Sequence, residues 1–200
     1  MSGASAATGD ARRALRVLVI IASTRDGRFG PTIADWFLGH GRRRRDMEFD
    51  VVDLAHAELP LVLTEARPAG VQVLGKQLAD ADAFVVVTPE YNSSFPASLK
   101  LAIDWFYDEW AGKPVTFVAY GRESGGQLAV AQLRGVFAEC NAVTIRNIVQ
   151  LPCYWERFAP DGSWPAPDSA LDQHVAEVLD QLAWWGHALE TARNTTTFVA

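Results

Sequence analysis

The chain alternates short, continuous apolar runs with segments in which apolar residues recur every three or four positions. Such runs are typical of strands buried on both faces of a parallel sheet, and the spaced segments are typical of amphipathic helices. The predicted strands are residues 15–21, 49–54, 82–88, 114–120 and 142–149. The predicted helices follow these strands and begin near residues 31, 71, 99, 129 and 171.

Strands that alternate with helices in this way predict an α/β domain of the doubly wound type. We expect a flavodoxin-like, five-stranded parallel sheet in the order 2-1-3-4-5, with helices on both faces, which suits a chain of 200 residues. The predicted boundaries are a disordered leader over residues 1–13, a single domain over residues 14–190 and a C-terminal tail over residues 191–200. This order places the carboxyl ends of the first and third strands side by side, where open α/β sheets bind ligands.

The loop after the first strand combines hydroxyl groups, a guanidinium and a helix start, and these features suit a phosphate. Its candidate residues are Ser23, Thr24, Arg25, Gly30, Pro31 and Thr32. The loop has neither the ending of a Walker A motif nor a full GxGxxG pattern, so a terminal monophosphate fits better than a pyrophosphate. Taken alone, the loop would be better interpreted as an ordinary turn with a hydroxyl cap. Its convergence with two other loops favours the phosphate site.

The loop after the third strand is the most informative segment of the chain. It begins with Pro89, Glu90, Tyr91 and Asn92. Main-chain groups in such a loop can orient the polar edges of a flavin ring, while Pro89 and Tyr91 supply surfaces that pack on its plane. The alternative is a simple turn with a capping Asn92.

The loop after the fourth strand reaches the same edge of the predicted sheet. Its candidate residues are Ser124, Gly125, Gly126 and Gln127. Glycines without a Cβ let a backbone approach a ligand closely, although a Gly-Gly pair also serves simple turns. The third loop is therefore a weak signal alone, but together the loops predict one crevice.

Three motifs in these loops resemble those of the NADPH-dependent FMN reductases, a flavodoxin-like family that includes quinone and azo-dye reductases. They are Ser-Thr-Arg-x-Gly-Arg at 23–28, Pro-Glu-Tyr-Asn-x-Ser-x-Pro-x-x-Leu-Lys-x-Ala-Ile-Asp-Trp at 89–105, and Tyr-Gly-x-x-x-Gly-Gly at 120–126. The resemblance spans about residues 15–151, and its second motif is long and quite specific. The sequence departs from the family at Ala22 and Ser93, where the family often has Gly.

The resemblance implies that bound FMN lies across the three loops. Ser23, Arg25 and the amides towards Thr32 would hold its phosphate, residues 89–92 would border its ring, and residues 124–127 would close the other edge. NADPH or NADH would give a hydride to the flavin N5, and a small acceptor such as a quinone, a free flavin or an azo compound would take it up in a ping-pong scheme. No protein side chain is predicted to be catalytic, and we expect Glu90 to shape its loop rather than to transfer protons.

Two other functions remain open at this point. The chain could be a flavin-bound electron carrier or redox-responsive binding protein without direct NADPH turnover. It could also be a nucleotide-binding domain with no redox role. Arg25 and Arg28 favour the enzyme, because electron-carrier flavodoxins generally use hydroxyls and Gly in the phosphate loop.

Composition and charge restrict the kinds of partner and the cellular location that we expect for the protein. A formal net charge of −6 argues against general affinity for nucleic acid. No apolar run approaches the roughly 20 residues that cross a bilayer, and the basic run at 42–45 follows an amphipathic segment, as a solvated helix end would. Cys140 and Cys153 match neither a CxxC pair nor a zinc-ligand set. We therefore predict a cytoplasmic protein with no metal site and no nucleic-acid or membrane partner.

Aromatic residues beyond the Pro-Glu-Tyr-Asn loop bear on the oligomeric state. Trp105, Phe106 and Trp110 are expected at a subunit interface, because aromatic residues are enriched in interface cores. The family resemblance also implies a homodimer or homotetramer whose subunits border each other's flavin sites. The segment from Tyr154 to Ala200 is the least covered by the resemblance, and no role is predicted for it.

Overall fold

The structure, a computed structural model, describes residues 13–197. The predicted leader therefore lies outside the described residues except for Arg13. The Arg13 guanidinium donates two hydrogen bonds of 2.8 Å to the Asp82 carboxylate, which also accepts one from the Arg16 amide at 2.8 Å. Arg13 is thus part of the folded domain and not of a leader.

The described residues form one six-stranded sheet in which every pairing is parallel. Its strands are β1 Leu15–Ile21, β2 Met47–Asp53, β3 Ala83–Pro89, β4 Pro114–Gly121, β5 Val143–Thr144 and β6 Val149–Pro152. The order is β2-β1-β3-β4-β5, and β6 also pairs with β4. The predicted flavodoxin-like order is confirmed. It follows from the continuous apolar runs, since β3 and β4 are buried along their whole length.

The same residues form five α-helices. They are α1 Gly30–Gly41, α2 Ala69–Asp80, α3 Ala97–Asp104, α4 Gln127–Glu139 and α5 Ser169–Thr195. One core cluster joins α1 and α5 to one face of the sheet, and a second joins α2, α3 and α4 to the other. α5 begins where the Asp168 carboxylate accepts hydrogen bonds from the Ala170 and Leu171 amides, and it continues beyond the domain end predicted at residue 190. None of the helices within residues 13–197 combines the length and the apolar character needed to cross a membrane.

The last position of the sheet differs from the prediction of one strand over residues 142–149. Two short strands, β5 and β6, pair in succession with the beginning and the end of β4. Between them the Arg134 guanidinium, from α4, donates to the carbonyl oxygens of Ile145 at 2.8 Å and Arg146 at 3.0 Å. These carbonyls are satisfied by a side chain instead of a neighbouring strand, so the strand is interrupted.

The aromatic residues predicted at a subunit interface are instead buried inside the domain. Trp105, Phe106 and Trp110 belong to the core beneath α2, α3 and α4, and Trp110 is only 1% exposed. The Trp110 ring meets Phe84 of β3 and Phe137 of α4 edge to face, with ring centroids 4.8 and 5.4 Å apart. The interface prediction for these three residues is wrong, because the chain turns back onto the sheet after α3 ends at Asp104.

Candidate active site

A cleft opens at the carboxyl edge of the sheet, where β1, β3 and β4 end side by side. It comprises two adjoining cavities of about 360 and 700 Å³, and both sizes are within the range of about 300–1,000 Å³ for small-ligand sites. The residues that line both cavities are Arg25, Glu90, Tyr91 and Arg122. The three loops predicted to converge therefore do so.

Two neighbouring hydroxyl groups are buried beneath the loop between β1 and α1. Ser23 is fully buried, Tyr120 is 3% exposed, and within the described residues neither hydroxyl oxygen makes a well-formed hydrogen bond, although the two hydroxyls are near enough to interact with each other. Both oxygens face Gly30, where a Cβ would collide with Ser23 Oγ and lie 3.2 Å from the Tyr120 hydroxyl. Burial raises the pKa of the Tyr120 phenol above its ordinary value, so the group stays protonated and can donate. Unsatisfied buried hydroxyls are costly unless a ligand completes them.

The start of α1 lies next to these hydroxyls and has no side-chain cap. The residue before the helix is Phe29, whose side chain cannot accept a hydrogen bond from the first turn. Pro31 has no amide hydrogen, so the first turn offers the amides of Gly30 and Thr32. A helix start of this kind favours an anion.

The charged and polar residues of the loop between β1 and α1 have different surroundings. Arg25 is exposed, lines both cavities and places its guanidinium 5.2 Å from the centre of the Tyr91 ring. Arg28 also borders the smaller cavity, but its guanidinium is paired with Asp53. Thr24 lines a separate cavity of about 440 Å³ together with Leu54 and neighbouring residues. Of the loop's predicted contacts, only Arg25 is among the residues that line the two cavities of the cleft. Thr24 lies at the separate cavity, and the contacts predicted for Ser23, Gly30, Pro31 and Thr32 stay predictions.

The Pro-Glu-Tyr-Asn loop is a tight turn. The amide of Tyr91 donates to the Ser94 carbonyl at 2.8 Å, and the Ser94 amide donates to the Tyr91 carbonyl at 2.9 Å. Between them, Asn92 and Ser93 have φ angles of 49° and 62°, in the left-handed region. Two successive positive φ values are characteristic of a type I′ turn, in which Gly is the favoured residue. The turn projects Tyr91 into the cleft and leaves Asn92 on the rim of the larger cavity.

Glu90 joins this turn to the loop after β4. Its carboxylate accepts a hydrogen bond from the Ser124 hydroxyl at 2.9 Å and another from the Leu128 amide at 2.9 Å. This is the loop-shaping role expected from the sequence. Ser124 lines the larger cavity.

The two glycines of the third loop contact protein instead of opening onto the cleft. A Cβ on Gly126 would meet Ala119 and the Tyr120 amide, and a Cβ on Gly125 would meet Pro152. The amides of Gly125 and Gln127 donate within the turn, to the carbonyls of Arg122 and Ser124, and Gln127 is exposed. These glycines permit close packing of the loop on β4 and β6. Their predicted contact with the ring stays a prediction.

Several residues of the cleft were not predicted from the sequence. They are Phe29, Tyr120, Gly121, Arg122, Tyr154 and Trp155. The Tyr154 ring lies 5.1 Å from both Phe29 and Tyr120, which brings the segment after β6 to the cleft. The Tyr-Gly-Arg run at the end of β4 was an available signal, because strand ends at this edge bind ligands. No local signal identified Tyr154 and its neighbour Trp155, since the contacts that bring Tyr154 to the cleft, with Phe29 and Tyr120, are distant in sequence.

Comparison with known proteins gives a family for this architecture. The family model of the NADPH-dependent FMN reductases matches residues 15–156. An NAD(P)H-dependent FMN reductase of Schizosaccharomyces pombe is 40% identical over 130 residues, which are 60% of this chain and 64% of the relative, so the match spans just under two thirds of that protein. A quinone reductase of Escherichia coli K12 is 34% identical over 84% of this chain and 86% of its own.

A solved structure resembles this fold closely. The flavoenzyme NAD(P)H:(acceptor) oxidoreductase FerB of Paracoccus denitrificans superposes with a TM-score of 0.71 at 25% identity, over 88% of this chain and 98% of that one. The resemblance seen in the sequence motifs is therefore confirmed, together with the enzyme class and the FMN and NAD(P)H cofactors predicted from it. The chain belongs to the NADPH-dependent FMN reductase family.

Proposed function

We propose that this chain transfers a hydride from NADPH or NADH, by way of bound FMN, to a small acceptor of the quinone class. The observation that carries the proposal is the pair of buried hydroxyls of Ser23 and Tyr120, which make no well-formed hydrogen bond within the described residues and lie beside the uncapped start of α1. The acceptor class is supported by relatives, since the E. coli protein is named a quinone reductase.

The residues at the start of α1 fit the phosphate of FMN. Ser23 supplies a buried hydroxyl, and the first turn supplies the amides of Gly30 and Thr32. Arg25 adds a charged guanidinium at the mouth of the cleft. Charge-assisted hydrogen bonds of this kind are about twice as strong as neutral ones. Gly30 is required there because a side chain would displace the Ser23 hydroxyl.

The remaining lining fits the flavin ring. Pro89, Tyr91, Tyr154 and Trp155 all border the smaller cavity of the cleft. The turn after Tyr91 and the loop carrying Ser124 are held together by Glu90, so the ring would meet a rigid wall. When bound, FMN supplies the redox chemistry by accepting a hydride at N5 and passing reducing equivalents to the acceptor. The protein binds it, orients it and shields it from water.

Two finer features belong to the same proposal. A homodimer or homotetramer is supported by the exposed apolar side chains of Leu61, Val62 and Leu63, which are 85%, 71% and 49% exposed. We assign these exposed side chains the interface role that was expected of Trp105 and Trp110, because both of those residues are buried. A cytoplasmic location is supported by the free thiols of Cys140 and Cys153.

The test is the absorption spectrum of the purified full-length chain, reconstituted with FMN, before and after anaerobic addition of NADPH. We expect a protein-bound flavin spectrum that bleaches with NADPH and recovers when a quinone is added. A protein that binds no FMN would overturn the proposal. A protein that binds FMN but is not bleached by NADPH or NADH would be an electron carrier instead.

A further inference from the structure

An ion pair between Arg28 and Asp53 anchors the loop between β1 and α1, which is called the phosphate loop below. The Arg28 guanidinium donates to both carboxylate oxygens of Asp53, at 2.7 and 2.6 Å. The two side chains are only 15% and 19% exposed. A bidentate, largely buried pair of this kind fixes its partners more firmly than a surface pair does.

Asp53 is itself held in place. It is the last residue of β2, and its Oδ1 accepts a further hydrogen bond from the Ala55 amide at 3.1 Å. The following residue, Leu54, donates its amide to the Ile21 carbonyl at 3.1 Å, so the end of β2 is joined to the end of β1. The carboxylate therefore occupies a fixed position at the carboxyl edge of the sheet.

From that position the pair reaches the backbone of the phosphate loop. Arg28 also donates to the carbonyl oxygen of Ser23 at 3.0 Å. Ser23 is the residue whose buried hydroxyl makes no well-formed hydrogen bond within the described residues. Asp53, Arg28 and Ser23 thus form a chain of contacts from a strand end to the predicted phosphate contact.

We propose that Asp53 is a positioning residue for the flavin phosphate, and this rests on the proposed function. Asp53 holds the Arg28 guanidinium, and Arg28 holds the Ser23 backbone in the conformation that aims its hydroxyl at the start of α1. The Arg28 guanidinium is engaged by the Asp53 carboxylate and the Ser23 carbonyl, so we assign it to the loop and not to the phosphate. The cation for the phosphate is Arg25, which has no carboxylate within salt-bridge distance in the described part of the chain.

The test compares FMN with riboflavin, which has the same ring and ribityl chain but no phosphate. Dissociation constants are measured by quenching of flavin fluorescence on the flavin-free, full-length chain. Asp53→Asn is expected to weaken FMN about tenfold and riboflavin less than twofold, the size of coupling seen between contacting residues. Arg28→Gln should give the same loss, and the double variant should lose no more than either single variant.

The chain supplies a matched control in Asp46, just before the opposite end of β2. Asp46 receives two hydrogen bonds from Arg44, at 2.9 and 2.6 Å, in the same bidentate manner. Asp46→Asn should therefore leave both flavin affinities unchanged. If Asp53→Asn does not fold, Arg28→Lys keeps the cation but removes the fork, and should weaken FMN alone by a smaller factor.

Three outcomes would overturn the inference. They are an unchanged FMN affinity in Asp53→Asn, a tighter one, and an equal loss for FMN and riboflavin. A tighter affinity would mean that Asp53 withholds Arg28 from the phosphate, and an equal loss would mean a general disturbance of the cleft. If the unmodified chain binds neither flavin, the proposed function fails instead.

Discussion

The Ser124 hydroxyl donates a hydrogen bond of 2.9 Å to Glu90, and this contact links the loops that follow β3 and β4. The other carboxylate oxygen of Glu90 accepts from the Leu128 amide at 2.9 Å. Leu128 lies in the first turn of α4, whose N-cap, Gly126, has no side chain to cap the helix. Glu90 therefore caps α4 from a neighbouring loop and fixes one wall of the cleft.

Replacing Glu90 with Ala should weaken FMN and riboflavin equally, by about fivefold to tenfold, because the ring loses its rigid wall while the phosphate loop is untouched. The same variant should lose about 1 to 2 kcal/mol of unfolding free energy, since the helix loses its cap. Fluorescence quenching and urea unfolding measure the two effects. Glu139→Ala, which removes an exposed carboxylate at the far end of α4, is the matched control. A loss confined to FMN would contradict the role given to Glu90.

Arg25 should contribute to flavin affinity only through the phosphate of FMN. Arg25→Ala is expected to weaken FMN by about 1.5 to 3 kcal/mol, the scale of a hydrogen bond to a charged group, and to leave riboflavin unchanged. Arg45→Ala removes an equal charge from the exposed run after α1 and should have no effect on either flavin. The titrations used for Glu90 measure both constants. Unchanged FMN affinity in Arg25→Ala would refute the phosphate assignment.

Ser93 has a backbone conformation that favours glycine. With φ at 62°, its Cβ is crowded in the left-handed region, at a cost of about 1 to 2 kcal/mol. Ser93→Gly should therefore raise the unfolding free energy by about 0.5 to 1 kcal/mol, after the extra entropy of the unfolded chain is subtracted. Thermal unfolding should show a midpoint about 1 to 3 °C higher. Ser93→Ala keeps the Cβ, and a similar gain in that variant would rule out the backbone explanation.

Replacing Trp155 should change the KM for the quinone more than it changes the reaction with NADPH. It is 44% exposed at the cleft, beside Tyr154, and offers an aromatic face to a planar quinone. Trp155→Ala should raise the quinone KM about threefold to tenfold, from loss of one aromatic contact. Reduction by NADPH, followed by stopped flow, should not change. Trp184→Ala, which removes a 65% exposed indole from α5, is the control, and equal effects in both variants would argue against a specific contact.

The apolar runs predicted the sheet because its central strands β1, β3 and β4 are buried almost throughout, which is a local property of sequence. Motifs at strand ends likewise predicted that the loops carrying Arg25 and Tyr91 converge at one edge of the sheet, although the contact between these two side chains was not predicted. Features that depend on distant partners were not predictable in this way. The break between β5 and β6 depends on Arg134 of α4. The burial of Trp110 depends on Phe84 of β3 and Phe137 of α4.

Lys113 is a buried cation far from the cleft, at the amino end of β4. It is 7% exposed, and its ammonium donates to the carbonyls of Leu78 at 2.7 Å and Ala79 at 3.0 Å, at the end of α2. Burial, reinforced by the nearby charge of Arg193, lowers the pKa of Lys113 to about 8. The unfolded chain should titrate near the ordinary value of about 10.4.

This difference makes stability depend on pH in a defined direction. Below about pH 8 both states carry the proton, and the folded state bears the full cost of a buried charge. Between about pH 8 and 10.4 the unfolded state binds more protons, so the unfolding free energy should rise with pH, by up to about 1.4 kcal/mol per unit. Lys113→Met removes the titrating group while keeping a similar volume. Urea unfolding of both proteins between pH 7 and 10 should show the original chain gaining stability relative to the variant, and parallel curves would show that Lys113 has an ordinary pKa.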